Sequence, residues 1–165
     1  MNDVTEVVKV GIAAKDFAKP PQTIRTSGLG SCVGIILYDD RQKVAGLAHV
    51  MLPDSSLANG SVFNEAKFAD TAIYDLLLGL EKLGASRSNI KAKMAGGAQM
   101  FQFTTKSDLM RIGPRNVEIL KLHLERTKIP LVAEDTGGNS GRTIDFDPAS
   151  TILTIRTVNK GTSEL

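Results

Sequence analysis

Two stretches, residues 32–38 and 44–52, are apolar at nearly every position and rich in β-branched side chains. Half-buried strands alternate, so unbroken apolar runs of this length predict strands buried on both faces of their sheet. The polar spacer Asp39-Asp40-Arg41-Gln42-Lys43 between them predicts a hairpin. From residue 64 to 83 the period changes: Ala66, Ala69, Ala72, Ile73, Leu76, Leu77 and Leu80 recur at steps of three and four, which predicts a helix. Asn64 can accept a hydrogen bond from the free amides of its first turn, and Gly84 can take the left-handed conformation just past its end. A second helix is predicted to begin at Gly113-Pro114, where the missing proline amide costs nothing. It carries Val117, Leu120 and Leu124 on one side and stops before Lys128-Ile129-Pro130.

Shorter strands are predicted at residues 7–13, 90–95, 131–134, 142–146 and 151–158. Pro20-Pro21 interrupts any ladder or helix after the first of them, and Asp147-Pro148-Ala149-Ser150 is a turn sequence joining the last two. The order is strands, helix, strand, helix, strands, with no internal repeat and no regular βαβ alternation. That order predicts an α+β fold with mixed sheets and outer helices.

With 165 residues, 42% of them hydrophobic and 23% charged, the chain fits a single domain, residues 1–165, with a core that needs neither disulfide nor metal. Twenty Lys and Arg stand against 18 Asp and Glu, a net charge of +2. So small an excess gives no argument for nucleic acid or an anionic membrane surface, and neither nucleic-acid binding nor membrane insertion is expected. The acids Asp3 and Glu6 near the start do not fit a signal peptide, and no apolar run approaches the roughly 20 residues of a membrane-spanning helix. One cysteine, Cys32, cannot form an intramolecular disulfide, which points to a reducing compartment and a cytoplasmic home. Asn59-Gly60-Ser61 matches a glycosylation sequon, which means nothing without export.

Candidate chemistry centres on that thiol. The run Arg25-Thr26-Ser27-Gly28-Leu29-Gly30-Ser31-Cys32-Val33-Gly34 places Cys32 just after a glycine turn and at the mouth of a buried strand. Cys32 is either an inert core thiol or a nucleophile that a substrate can reach. An ordinary thiol has a pKa near ~8.5, so the second reading requires a base. Residues 33–36 read as extended, and no helix N-terminus is available to help. His49, in Ala48-His49-Val50-Met51-Leu52, lies on the strand paired with that of Cys32; it is either a satisfied core histidine or the base. His123, among Lys121, Glu125 and Arg126, reads as a solvated flank of the second helix. A base must itself be oriented, and Thr26, Ser27 and Ser31 are all candidates. Backbone amides around Ser31 and Cys32 could point at a developing oxyanion.

Other motifs are weaker. Gly28, Gly30 and Gly34 miss the dinucleotide spacing and precede a strand, and Gly137-Gly138-Asn139-Ser140-Gly141 lacks the lysine of a phosphate loop. One Cys and two His do not suggest zinc, and Asp135 and Asp145 read as surface or turn residues. No metal or organic cofactor is predicted. Phe101 and Phe103, in the loop after Ala95-Gly96-Gly97-Ala98, are either a protein-binding surface or tucked-in core residues.

Six blocks together resemble the CheD family of chemoreceptor glutamine deamidases. They are Thr26-Ser27-Gly28-Leu29-Gly30-Ser31-Cys32-Val33-Gly34, Ala48-His49-Val50-Met51-Leu52-Pro53-Asp54-Ser55, Phe68-Ala69-Asp70-Thr71-Ala72, Ala95-Gly96-Gly97-Ala98-Gln99-Met100-Phe101, Ile112-Gly113-Pro114-Arg115-Asn116-Val117 and Glu134-Asp135-Thr136-Gly137-Gly138-Asn139. They span most of the chain in the family's order. The resemblance implies a layered α+β sandwich like that of bacterial deamidating toxins. It also implies a cysteine hydrolase that converts glutamines of methyl-accepting chemotaxis receptors to glutamates, without cofactor. Nucleophile, base and orienting hydroxyl then fall on Cys32, His49 and Thr26. Ser27 departs from the apolar residue that relatives often carry. CheC is the implied regulatory partner, with Ser27, Gly30, Ser31, Phe101 and Phe103 as candidate contacts for receptor or CheC. A binding module that acts by occupying CheC is the alternative function.

Overall fold

The computed structural model describes residues 6–58, 64–99 and 111–165. The expectations placed on Phe101 and Phe103, and on the sequon, lie outside these residues. Among the described residues, ten strands and two α-helices follow in the order β1 (Val7–Lys9), β2 (Lys15–Ala18), β3 (Thr23–Leu29), β4 (Val33–Asp39), β5 (Val44–Val50), α1 (Ala69–Lys82), β6 (Ile90–Gly96), α2 (Ile112–Arg126), β7 (Leu131–Thr136), β8 (Arg142–Asp147), β9 (Ile152–Thr157) and β10 (Gly161–Glu164).

They form two five-stranded sheets, one ordered β1-β3-β8-β9-β10 and the other β2-β5-β4-β6-β7. Each is mixed: β1 runs parallel to β3 and β6 parallel to β7, while the remaining pairs are antiparallel. The two long apolar runs become β4 and β5, paired across the expected hairpin and buried at all seven positions of each. Their burial on both faces has a simple cause. Val33, Ile35, Leu37, Val44, Ala48 and Val50 pack with Ile73, Leu76 and Leu80 of α1 and with Leu120 and Leu124 of α2. On the opposite face Ile36, Tyr38, Ala45 and Leu47 meet Ile24, Ile144, Phe146, Leu153 and Ile155 of the other sheet. The result is helices on sheet on sheet: the α+β class with outer helices expected from the order of elements, layered as the resemblance implied.

Helix α1 starts later than its apolar period suggested. Asn64 does accept from a backbone N–H, that of Ala66, but it caps a single 3-10 turn, Glu65–Lys67, and Phe68 then returns to extended backbone before the α-helix begins. Gly84, at φ +97°, occupies the left-handed position just past the end. The first strand keeps only Val7–Lys9 of residues 7–13, and strands β2, β3 and β10 form where no apolar run announced them.

Candidate active site

The glycine-rich run before Cys32 is a strand with an irregularity in it, where a turn was expected. β3 pairs with β8 up to Thr26, the register shifts between Thr26 and Leu29, and Gly28 sits there at φ +73°. Beyond Leu29 the chain leaves the first sheet and enters the second as β4. Residues 30–32 are therefore the crossing between the two layers, with Cys32 half-buried at its end.

Strand parity decides what faces what. His49 lies directly opposite Gly34 in the β4–β5 ladder. Cys32 is two residues before Gly34 and packs against the core between the sheets, so thiol and imidazole share that face on neighbouring strands. Their offset is the diagonal one, roughly 7–8 Å between Cα atoms and within reach of a long side chain. Gly34 itself leaves room: a Cβ there would lie 2.6 Å from Ile144 Cδ1 and 3.4 Å from Thr26 Cγ2. Without that side chain the first sheet can bring Thr26 up to the imidazole.

Thr26 Oγ1 lies 2.8 Å from the Val10 carbonyl and 2.7 Å from His49 Nδ1, with both residues of the bridge buried. The hydroxyl has one proton, and the carbonyl can only accept it. Thr26 must therefore accept from His49, which puts the imidazole proton on Nδ1 and leaves Nε2 with a bare lone pair. Nε2 is buried and bonds to no group among the described residues, the Cys32 thiol included. Burial lowers the His49 pKa, keeping the ring neutral with its lone pair free to accept a proton. Burial also raises the Cys32 pKa, partly offset by the backbone N–H of Cys32 beside the sulfur. The resting pair is thus a neutral thiol and a neutral imidazole of fixed tautomer, not a preformed ion pair.

Of the three candidates for the orienting hydroxyl, the structure brings Thr26 to His49, while Ser27 is exposed and Ser31 belongs to the crossing segment. Gly30 is half-buried there, its carbonyl accepting from Ala98 N–H at 2.9 Å. His123 is more engaged than a solvated flank: Tyr74 Oη stands 2.8 Å from its Nδ1. Asp135 and Asp145 pair with Arg142 and Arg25. Among the described residues no three His, Cys, Asp or Glu side chains gather as a metal site, and no helix is long and apolar enough to cross a membrane.

Two buried polar residues near the crossing escaped the sequence reading. Asn116 on α2 donates from Nδ2 to the carbonyls of Ser31 and Met51, each at 3.1 Å. Arg142 donates to the carbonyls of Gly96 and Gly137 at 3.3 and 3.0 Å. Asn116 had a sequence signal, since it lies in one of the six blocks and on the α2 face that carries Leu120. The partners of Asn116, and those of Arg142 apart from Asp135, are backbone oxygens, which leave no trace in the order of side chains.

The family model described as "CheD chemotactic sensory transduction" matches residues 51–157. A Halalkalibacterium halodurans protein named chemoreceptor glutamine deamidase CheD is 58% identical over 165 residues, covering all of both chains. The Bacillus subtilis protein of that name is 54% identical over 155 residues, 94% of this chain and 93% of the other. Among solved structures, a Neisseria meningitidis protein of the DUF152 family superposes with a TM-score of 0.51 at 9% identity, over 81% of this chain and 64% of that one. This chain spans less than two thirds of that structure's length, and the likeness is one of fold. By full-length identity and family match, the chain belongs to the CheD family.

Proposed function

We propose that this chain deamidates glutamine side chains of chemoreceptors, with Cys32 as nucleophile, His49 as general base and acid, and Thr26 as the residue that orients the base. The names of its full-length relatives support the substrate class. The hydrogen bond from His49 Nδ1 to Thr26 carries the residue assignment, because it leaves Nε2 unprotonated on the face that Cys32 shares.

Nε2 takes the thiol proton as sulfur adds to the carboxamide carbon, and the carbonyl π electrons move to oxygen. The tetrahedral oxyanion collapses, the C–N bond breaks, and His49 returns the proton to nitrogen so that ammonia leaves. A thioester remains. Water, deprotonated by Nε2, adds to that carbonyl; collapse expels the Cys32 thiolate, which recovers its proton, and the side chain has become glutamate. One water enters and one ammonia leaves. The carboxamide need only reach the ledge where β4 begins, which suits a target on a folded receptor helix. Resemblance to the family supports two further parts of the reading, the cytoplasmic setting and regulation by CheC.

The test is incubation of purified receptor with the parent protein and with Cys32→Ala, mapping glutamine-to-glutamate conversion by mass spectrometry. Conversion by the parent and none by the variant is expected. A variant that converts the same sites at the parental rate would overturn the nucleophile assignment.

A further inference from the structure

All three carbonyls of the crossing segment are held from outside it. The Gly30 oxygen accepts from Ala98 N–H at 2.9 Å, the Ser31 oxygen from Asn116 Nδ2 at 3.1 Å, and the Cys32 oxygen from Gly97 N–H at 2.9 Å. The amide of Cys32 is treated differently. β4 and β6 pair Gly34 with Ala95 and Val33 with Gly96, so the next rung would set Cys32 against Gly97 and return a carbonyl to its N–H. That rung is broken. Gly96 and Gly97 take φ of +118° and +68°, which L side chains rarely adopt, and the chain turns out of the strand. Gly97 N–H still reaches the Cys32 oxygen, but no carbonyl among the described residues accepts from Cys32 N–H.

We infer that Asn116 is a positioning residue: by holding the Ser31 carbonyl it fixes the Ser31–Cys32 peptide so that Cys32 N–H stands free beside the sulfur as the oxyanion donor. A trans peptide is planar, with its C=O and N–H on opposite edges, so pinning the oxygen aims the hydrogen. The orientation of the Asn116 amide is unambiguous, because both oxygens it meets can only accept and its own NH2 must face them. Its Oδ1 is buried with no partner among the described residues, so the side chain is committed to those two carbonyls. The second, that of Met51, lies two residues past His49, so one amide ties the nucleophile's turn to the strand of the base. Gly113 makes the approach possible: a Cβ there would come within 2.2 Å of the Ala98 oxygen, and α2 could not seat its first turn against residues 97–98.

The inference rests on the reading of Cys32 as nucleophile, and the experiment separates the two. Asn116→Ala is compared with the parent in two reactions of the same thiol, receptor deamidation and alkylation by iodoacetamide. Deamidation passes through an oxyanion; alkylation displaces iodide from a saturated carbon and does not. The expected result is a loss of about 10- to 100-fold in kcat, short of that for deleting a donor outright, with KM and the alkylation rate within about twofold. Parallel loss of both reactions, or an unchanged kcat, would overturn the inference. Cys32→Ala runs alongside: residual conversion there defeats the functional reading itself, whereas its silence beside a fully active Asn116→Ala defeats only the role of Asn116. Should Asn116→Ala fail to fold, the parent protein is crystallised with a receptor peptide whose target carboxamide is replaced by an aldehyde. Sulfur adds to the aldehyde carbon and the thiol proton passes to oxygen. That oxygen is expected on Cys32 N–H, and an oxygen turned elsewhere overturns the inference.

Discussion

His49 and Lys93 both project from the second sheet into the layer between the sheets, two rungs apart: His49 opposite Gly34, Lys93 opposite Ile36. Both are buried, and burial lowers the pKa of each. Lys93 is nevertheless fully served. Its ammonium donates to the carbonyls of Thr151 at 2.6 Å and Leu165 at 2.9 Å and lies 5.8 Å from the centre of the Tyr38 ring. His49 is served on one side only, with Nδ1 bonded to Thr26 and Nε2 bare. Leaving a buried polar atom unpaired costs on the order of 1–3 kcal/mol. The fold satisfies one buried nitrogen base and leaves its neighbour half-satisfied on the face shared with its single thiol, and under the proposed function that unpaired nitrogen is the base.

The sharpest way to break this contrast is His49→Ala. Loss of a general base typically lowers a rate by about 10²–10⁴, and that fall in kcat is expected for receptor deamidation. The pH profile of the parent sharpens it. Proton binding at Nε2 destroys the base, and burial makes that proton harder to bind, so the acid limb of activity should lie below the ordinary imidazole pKa of ~6.5. A limb at or above that value would mean that His49 is not the titrating base, or that its ring is far wetter than the structure has it.

Next in size is Thr26. Thr26→Val removes the acceptor of the Nδ1 proton, freeing the ring to move that proton to Nε2, where it blocks the base. A loss of about 10- to 100-fold in kcat is expected, with Thr26→Ser keeping most of the rate because it keeps the hydroxyl. Equal rates for Thr26→Val and the parent would remove the tautomer argument.

How legible all this was in the sequence depended on whether a residue's partner lay within reach of a local period. The unbroken apolar runs of β4 and β5 and the three-and-four spacing of α1 announced themselves, and with them the pairing that sets His49 beside the Cys32 strand. β3 did not, because Gly28 and Gly30 make a bulged strand look like a turn. β10, Gly161–Glu164, has no apolar side chain to signal it. The bond between Thr26 and His49 joins strands of different sheets, and no periodicity relates positions across a layer. The residue chemistry thus left Thr26, Ser27 and Ser31 open, and only the resemblance to a family chose among them. The free amide of Cys32 was least visible, since it follows from two positive-φ glycines, Gly96 and Gly97, at the end of β6.

The smallest effect on catalysis should come from the other half of the contrast. Lys93→Met keeps the length of the side chain and its packing against Tyr38 but removes the donor to the Thr151 carbonyl, while the Leu165 oxygen keeps the N–H of Leu153 at 2.9 Å. Removing a charge from a buried site recovers desolvation energy, while the Thr151 acceptor left unpaired costs about 1–3 kcal/mol and the Leu165 oxygen loses one of its two donors. The acceptors should win, because the ammonium meets both at hydrogen-bond distance. For a domain of this size each kcal/mol moves Tm by roughly 2–4 °C, so a fall of several degrees is expected in a thermal melt. Receptor deamidation, measured well below both transitions, should stay within about twofold of the parent, since Lys93 touches neither Thr26, His49 nor the Cys32 turn. A kcat that fell with Tm would show that the two buried bases are coupled through the shared layer, and that the satisfied lysine helps to hold the unsatisfied histidine in place.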